Sequence, residues 1–248
     1  MTIVSHKYRF IFLKTRKTAG TSVERWLMPH LGSTDMIATP RENWPAPVSL
    51  FSTPNPTTRF PTFEHKLKKL IQRNLGRPIS FSLREHMSAL RVRALVGEHI
   101  WRNYFKFCIE RQPWDRMISF WRWRQHRRGS LISLDEFLDL IESEPANEVV
   151  RNYSNLDKYM IDGRVVTDQI VRYENLTGEL AQICDRLRIP ARVNDLTHVK
   201  GRIRRENDST SMLTTRQIER ISSLFAEEIR LFGWQLPNFN NSASDIRD

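Results

Sequence analysis

Six consecutive residues, Lys17-Thr18-Ala19-Gly20-Thr21-Ser22, bring a lysine, three hydroxyls and a glycine between an apolar run and the start of a helix. That set suits an anion. The first N–H groups of a helix have no intrahelical partner, and the helix dipole is positive at that end. Lys17 adds a mobile point charge able to follow a bridging or leaving oxygen, and Gly20 lets the backbone come close to a phosphate. The order of the residues matters. A nucleotide-hydrolysing P-loop reads Gly-x-x-x-x-Gly-Lys-Ser/Thr, whereas here the lysine precedes the glycine and the upstream glycine is missing. This argues against ordinary magnesium-nucleotide hydrolysis. With no ligand, the segment would be a basic turn.

A second constellation is Arg111-Gln112-Pro113-Trp114-Asp115-Arg116-Met117-Ile118-Ser119. Arg111 offers a forked set of donors that matches phosphate oxygens, and Ser119, eight residues on, can add a hydroxyl to the same phosphate. Taken alone, the pair would read as a surface arginine and a helix serine that never meet. Asp115 and Arg116 read as structural, a local ion pair. Chemistry at a hydroxyl also needs a proton acceptor, and histidine titrates nearest neutrality; the chain has seven. Lys200, Arg202, Arg204 and Arg205 form a basic loop, either a lid for an anion or a solvated charge run.

The elements around these residues alternate. Tyr8–Leu13, Phe105–Glu110 and Gln169–Tyr173 read as short buried strands rich in aromatic and branched residues. Helices are expected over Ser22–Leu31, Arg84–Leu95, Gly97–Tyr104, from Pro113 to about Gln125, over Ser133–Ile141 with Ser133 and Glu136 as a capping pair, and over Glu174–Leu187. Ile218, Ile221, Phe225 and Ile229 mark one stripe on a last long helix. The implied fold is α/β, a mainly parallel sheet with helices on both faces, where ligands gather at the carboxyl ends of the strands. Both loops described above leave such ends. Residues 32–63, with six prolines from Pro40 to Pro61, read as an irregular excursion, followed by the basic stretch His65–Lys69; the tail after Pro237 reads as mobile.

The 248 residues suit one α/β domain or at most two small ones. No apolar run reaches the ~20 residues of a membrane helix, and the first residues lack a secretory signal's apolar region, so a cytoplasmic protein is expected. Cys108 and Cys184 read as core thiols, not as a disulfide or zinc site, and no motif suggests a metal. The formal charge of +11 implies an anionic partner. A nucleic acid is one such partner, but no zinc finger, RNP motif or basic repeat supports it. A nucleotide kinase is the enzymatic alternative, with the loop order against it.

The two loops carry a resemblance. Lys17-Thr18-Ala19-Gly20-Thr21-Ser22 looks like the 5′-phosphosulfate loop of the carbohydrate-type (family 2) sulfotransferases, although Arg16 stands where that family usually has proline. Arg111–Ser119 resembles the family's 3′-phosphate motif, with Gln112 in place of the usual asparagine. The segment Arg84-Glu85-His86-Met87-Ser88-Ala89, the following Gly97-Glu98-His99-Ile100-Trp101, and Tyr173-Glu174-Asn175-Leu176 are similar to bacterial members, so the likeness spans roughly Tyr8–Leu236. It implies a single domain over residues 1–248 with a P-loop-like core, whose residues 32–80 set acceptor choice. It also implies PAPS (3′-phosphoadenosine 5′-phosphosulfate) as sulfuryl donor and PAP as product. Arg16, Lys17, Thr18, Ala19, Gly20, Thr21 and Ser22 would hold the 5′ end, Arg111 and Ser119 the 3′-phosphate, and Lys200 and Arg202 would close over it. Lys17 and His86 would be catalytic, His86 as base, with Glu85, then His65 or His99, as alternatives. The acceptor would be a hydroxylated saccharide, glycolipid or related molecule, and the basic surface would suit an acidic acceptor or a peripheral contact with an anionic membrane face.

Overall fold

A computed structural model describes residues 2–37, 85–129, 131–196 and 210–237. Its centre is a five-stranded sheet. The chain enters through β1 (Ile3–Ser5), turns into β2 (Phe10–Leu13), forms helix α1 (Gly20–Leu27) and adds the short β3 (Met36–Ile37). Helices α2 (Ala89–Val96) and α3 (Glu98–Asn103) lead to β4 (Phe105–Glu110), then the long α4 (Pro113–Arg128), α5 (Leu134–Glu142), α6 (Ala146–Tyr153) and α7 (Leu156–Tyr159). A two-stranded hairpin, β5 (Met160–Ile161) and β6 (Arg164–Val165), precedes β7 (Gln169–Arg172). The helices α8 (Leu176–Leu187), α9 (Thr215–Leu224) and α10 (Ala226–Phe232) close the described chain.

The sheet order is β3-β1-β2-β4-β7. β2, β4 and β7 run parallel, with Leu13 opposite Cys108 and Glu110 opposite Arg172, while β1 pairs antiparallel to both β2 and β3. The expected parallel core is therefore present, extended by an antiparallel edge that the sequence reading lacks.

Alternation along the strands sends their side chains to two different cores. Phe10 and Phe12 of β2, Phe107 and Ile109 of β4 and Val171 of β7 meet Val23, Trp26 and Leu27 of α1 and the apolar side of α8. Ile11, Leu13 and Cys108 point the other way, toward Ala89, Val92, Trp101 and Tyr159. Helices thus cover both faces, and stacked rings such as Phe12 on Phe107, 5.0 Å between centroids, contribute about 1.5–3 kcal/mol each by burial. A third core, with Trp114, Met117, Phe137, Ile141, Ile218 and Phe225, joins α4, α5, α6 and α9. Both cysteines are buried and free.

Two helices differ from expectation. Ser133 and Glu136 do form a capping box, but the apolar stripe from Ile218 to Ile229 spans two helices, broken at Phe225 (φ −123°, ψ 29°). The break keeps Phe225 in the core while Glu228 turns inward to meet Arg116 at 2.7 Å. The helix expected from Arg84 begins at Ala89, where the Ser88 hydroxyl caps the Arg91 N–H at 3.4 Å. His86 therefore sits in a turn ahead of the helix, at φ 55°. Most of residues 32–80, the basic stretch at 65–69 and the whole tail after Pro237 lie outside the described residues. Among the described residues, no helix is long and apolar enough to cross a membrane.

Candidate active site

Because β2, β4 and β7 are parallel neighbours, the loops after Leu13, Glu110 and Arg172 emerge side by side. The first is tightly wound. Lys17 and Ala19 both take the left-handed conformation, φ 61° and 60°, which costs non-glycine residues of the order of 1–3 kcal/mol each. Hydrogen bonds hold the turn in place. The Thr15 and Thr18 hydroxyls meet at 2.8 Å, Thr15 donates to the Ile109 carbonyl of β4, and both side chains are buried. Helix α1 then starts at Gly20 with no side-chain cap; the Ala19 carbonyl takes the N–H groups of Ser22 and Val23. Ser22 is buried and Thr21 half-buried.

Lys14 explains the glycine at position 20. Its stem crosses the start of α1 so closely that a Cβ on Gly20 would lie 2.8 Å from Lys14 Cγ. The buried ammonium reaches Glu24 at 2.9 Å, the Thr21 hydroxyl at 3.2 Å and Glu85 at 3.5 Å. Lys14 thereby ties β2, the start of α1 and the segment carrying His86 into one unit. Sequence reasoning missed it, although a charged residue ending an apolar strand was a visible signal.

Arg111 leaves β4 and reaches back to the loop. Its Nη1 donates to the Lys17 carbonyl at 3.2 Å, its Nε donates to Asp115 at 2.5 Å, and its guanidinium stacks on Tyr173 at 4.3 Å. The two sequence motifs, 94 residues apart, meet here. Asp115 is thus the partner of Arg111, not of Arg116 as the local ion pair would have it, because Arg116 points into the core instead. There it bridges Glu110 at 2.8 Å and Glu228 at 2.7 Å, with all three buried. The second carboxylate oxygen of Asp115 is buried without a hydrogen-bond partner. Ser119, half-buried on α4, lies one turn beyond Asp115 and one before Trp123. Lys17 Nζ sits 5.8 Å over Phe120 and 5.4 Å over Trp123, so this face of α4 lines the loop.

Arg16 and His86 have other partners. The Arg16 N–H donates to Asn155 Oδ1 at 2.8 Å, Asn155 Nδ2 donates back to the Arg16 carbonyl at 3.2 Å, and Arg16 Nη1 reaches the Ser154 carbonyl at 3.4 Å. This clamp, absent from the sequence reading, fixes the first turn of the loop. A proline at position 16 would have no N–H to give it. His86 Nδ1 lies 3.3 Å from the Lys14 carbonyl. A carbonyl only accepts, so Nδ1 carries the proton and Nε2 keeps its lone pair. Burial pushes the imidazole pKa down, and Lys14 and Arg16 add to the effect, bringing it to about 3. The alternative bases separate. Glu85 faces Lys14, His99 is exposed on α3 beside Asn103, and His65 lies outside the described residues. So do Lys200, Arg202, Arg204 and Arg205.

Comparisons with known proteins add the following. The family model described as the sulfotransferase family matches residues 1–235. An uncharacterized protein of Archaeoglobus fulgidus is 26% identical over 111 residues, which cover 42% of this chain and 84% of that protein. No solved structure matches the chain.

Proposed function

Because the chain belongs to the sulfotransferase family, we propose that it moves a sulfuryl group from PAPS to a hydroxyl of a saccharide, glycolipid or related acceptor. Residues 1–235 then act as one catalytic unit around a P-loop-like turn. The observation that carries this reading is the 3.2 Å hydrogen bond from Arg111 to the Lys17 carbonyl, which sets a phosphate-matching guanidinium against a strained, uncapped helix start. The residues present fit such a donor. The start of α1 offers N–H groups to the 5′ end, Arg111 and Ser119 serve the 3′-phosphate, and the unpaired Asp115 oxygen can accept an N–H or O–H.

Bound PAPS supplies an activated sulfuryl group. The new bond joins the acceptor oxygen to sulfur while the bond from sulfur to the 5′-phosphate oxygen breaks in line. The electron pair stays on that phosphate oxygen and the acceptor proton passes to His86 Nε2. Lys17 neutralises the departing oxygen, an electrostatic contribution that matters most in a dry, preorganised site. Thr18, Thr21 and Ser22 keep the 5′ end oriented, so catalysis is largely positioning. At a pKa of about 3, His86 is neutral at physiological pH but weakly basic. Anionic donor groups beside Lys14, Arg16 and Lys17 would raise it, so the base strengthens once the donor is in place.

The test is the thermal shift given by PAP against ATP with magnesium and 5′-AMP. At a ligand concentration near 100 times Kd, the gain is about 2.7 kcal/mol, or roughly 5–10 °C for a chain of this size. A PAP-selective shift that falls in Arg111→Ala is expected. An equal response to ATP with magnesium would sink the donor assignment and favour a nucleotide kinase.

A further inference from the structure

Lys14 follows β2, and its buried ammonium lies at the start of α1, with Glu24 at 2.9 Å, the Thr21 hydroxyl at 3.2 Å and Glu85 at 3.5 Å. An ammonium has three hydrogens and no lone pair. In the contact with Thr21 it therefore gives the hydrogen, and the hydroxyl oxygen accepts. The hydroxyl's own hydrogen must then point away from Lys14 and find an acceptor elsewhere. Among the described residues it has none, although the side chain is half-buried. The lysine stem is closely packed: a Cβ at Gly20 would lie 2.8 Å from its Cγ and 3.0 Å from its Cε. That contact and the Glu24 ion pair hold the ammonium in one place.

Thr21 stands in the first turn of α1, which has no side-chain cap. The N–H groups of Gly20 and Thr21 have no acceptor among the described residues either. Two backbone hydrogens and one hydroxyl hydrogen thus await an acceptor within a single helical turn. An anion can take all three, and the proposed function assigns the 5′ end of PAPS to this turn.

The geometry points to Lys14 as a positioning residue: by hydrogen-bonding to the Thr21 oxygen, it commits the Thr21 hydrogen to the 5′-phosphate end of PAPS. Resting on the sulfotransferase reading, this role adds to it a residue that acts only through its neighbour. Without Lys14, the hydroxyl could turn its hydrogen to a nearby carbonyl and present a lone pair to the anion. Because Glu24 balances the charge of Lys14, the effect is one of direction and not of net charge.

Two nucleotides test it by calorimetric titration: PAP, and 3′-AMP, which lacks only the 5′-phosphate. The ratio of their dissociation constants isolates the 5′ contact. Thr21→Val removes the hydroxyl and should reduce the preference for PAP about tenfold, whereas Thr21→Ser should keep it. Lys14→Met together with Glu24→Met removes the buried pair and leaves neither charge alone. That pair of changes should reduce the preference about threefold, since the hydroxyl stays but is no longer directed. Adding Thr21→Val to it should give no more loss than Thr21→Val alone, because both act through one hydrogen bond. Binding of 3′-AMP should stay the same throughout, which shows that each variant folds. If the paired variant does not fold, Lys14→Met with Glu24→Gln gives the same reading. Three results overturn the inference: a PAP preference untouched by loss of Lys14, losses that simply multiply in the combined variant, or equal weakening of both nucleotides. If the unaltered protein binds PAP no better than 3′-AMP, the assignment of the 5′ end to this turn falls, and the role of Lys14 with it.

Discussion

Arg116 and Arg16 are two desolvated arginines joined through Asn155, and they are treated in opposite ways. Asn155 Nδ2 donates both to Glu110, a partner of Arg116, and to the Arg16 carbonyl. Burial works against the Arg116 charge, but Glu228 and Glu110 more than offset it and push its pKa up. Burial pushes Arg16 down, with Asp157 opposing it and Arg116 adding to it. The first is a closed electrostatic system behind the loop. The second is open toward His86. A charge that is internally neutralised serves the fold, and one left uncompensated at the edge of a site is available to a ligand.

The largest effect should come from breaking the closed system. Arg116→Met leaves Glu110 and Glu228 buried without their cation, a loss of about 3–5 kcal/mol and a melting point lower by roughly 6–20 °C. Burial already raises the Glu110 pKa, and removing Arg116 would raise it further. A carboxylate whose folded pKa exceeds its unfolded value loses stability as pH rises through the folded pKa. The deficit relative to the unaltered protein should therefore be smaller at pH 5 than at pH 8. An unchanged melting point would mean that the network does not hold the fold.

This difference between the two arginines was not legible in the sequence. Arg116 and Asp115 are adjacent, so a local ion pair was the natural reading, yet Arg116 bridges Glu110 and Glu228, the latter 112 residues away. Asn155 sits in a segment with no motif and contacts the loop across 139 residues. Local signals transferred well: the apolar run Phe105–Glu110 is β4 to the residue, and the Ser133 capping box formed as read. The hairpin turning on Asp162-Gly163, both at positive φ, carried a two-residue turn signature that was overlooked. The order of the two candidate loops was readable because each depends on a strand end and the helix after it. Where their side chains go, Lys17 over Phe120 and Trp123 and Arg16 to the Ser154 carbonyl, depends on packing partners that only the fold supplies.

A smaller effect concerns the open flank. The folded His86 pKa of about 3 lies below its ordinary 6.5, so the unfolded chain binds the proton first. Stability should fall as pH drops from about 6.5 toward 3, with a slope of up to about 1.4 kcal/mol per pH unit from this residue. His86→Asn should flatten that slope in denaturant titrations at pH 4, 5 and 6. In the unaltered protein, imidazole NMR signals should show the His86 pKa rising when PAP binds. A pKa near 6.5 without PAP would mean that neither burial nor the Lys14 and Arg16 charges act on it.

The smallest effect is the most discriminating, because the two arginines should respond with opposite sign to the same replacement. Arg16→Met keeps the backbone N–H that Asn155 accepts and removes a half-buried charge with no carboxylate of the described residues within ion-pair distance. Stability without ligand should rise by roughly 0.5–1 kcal/mol, the kind of gain seen when a site's functional strain is released. Arg16→Pro removes the charge and the N–H together, so the loss of about 0.5–1.5 kcal/mol for the hydrogen bond should cancel that gain. Urea titrations of the two variants side by side measure the difference. If Arg16→Met destabilises as Arg116→Met does, Arg16 is a structural cation after all, and the open flank closes on a partner within the chain.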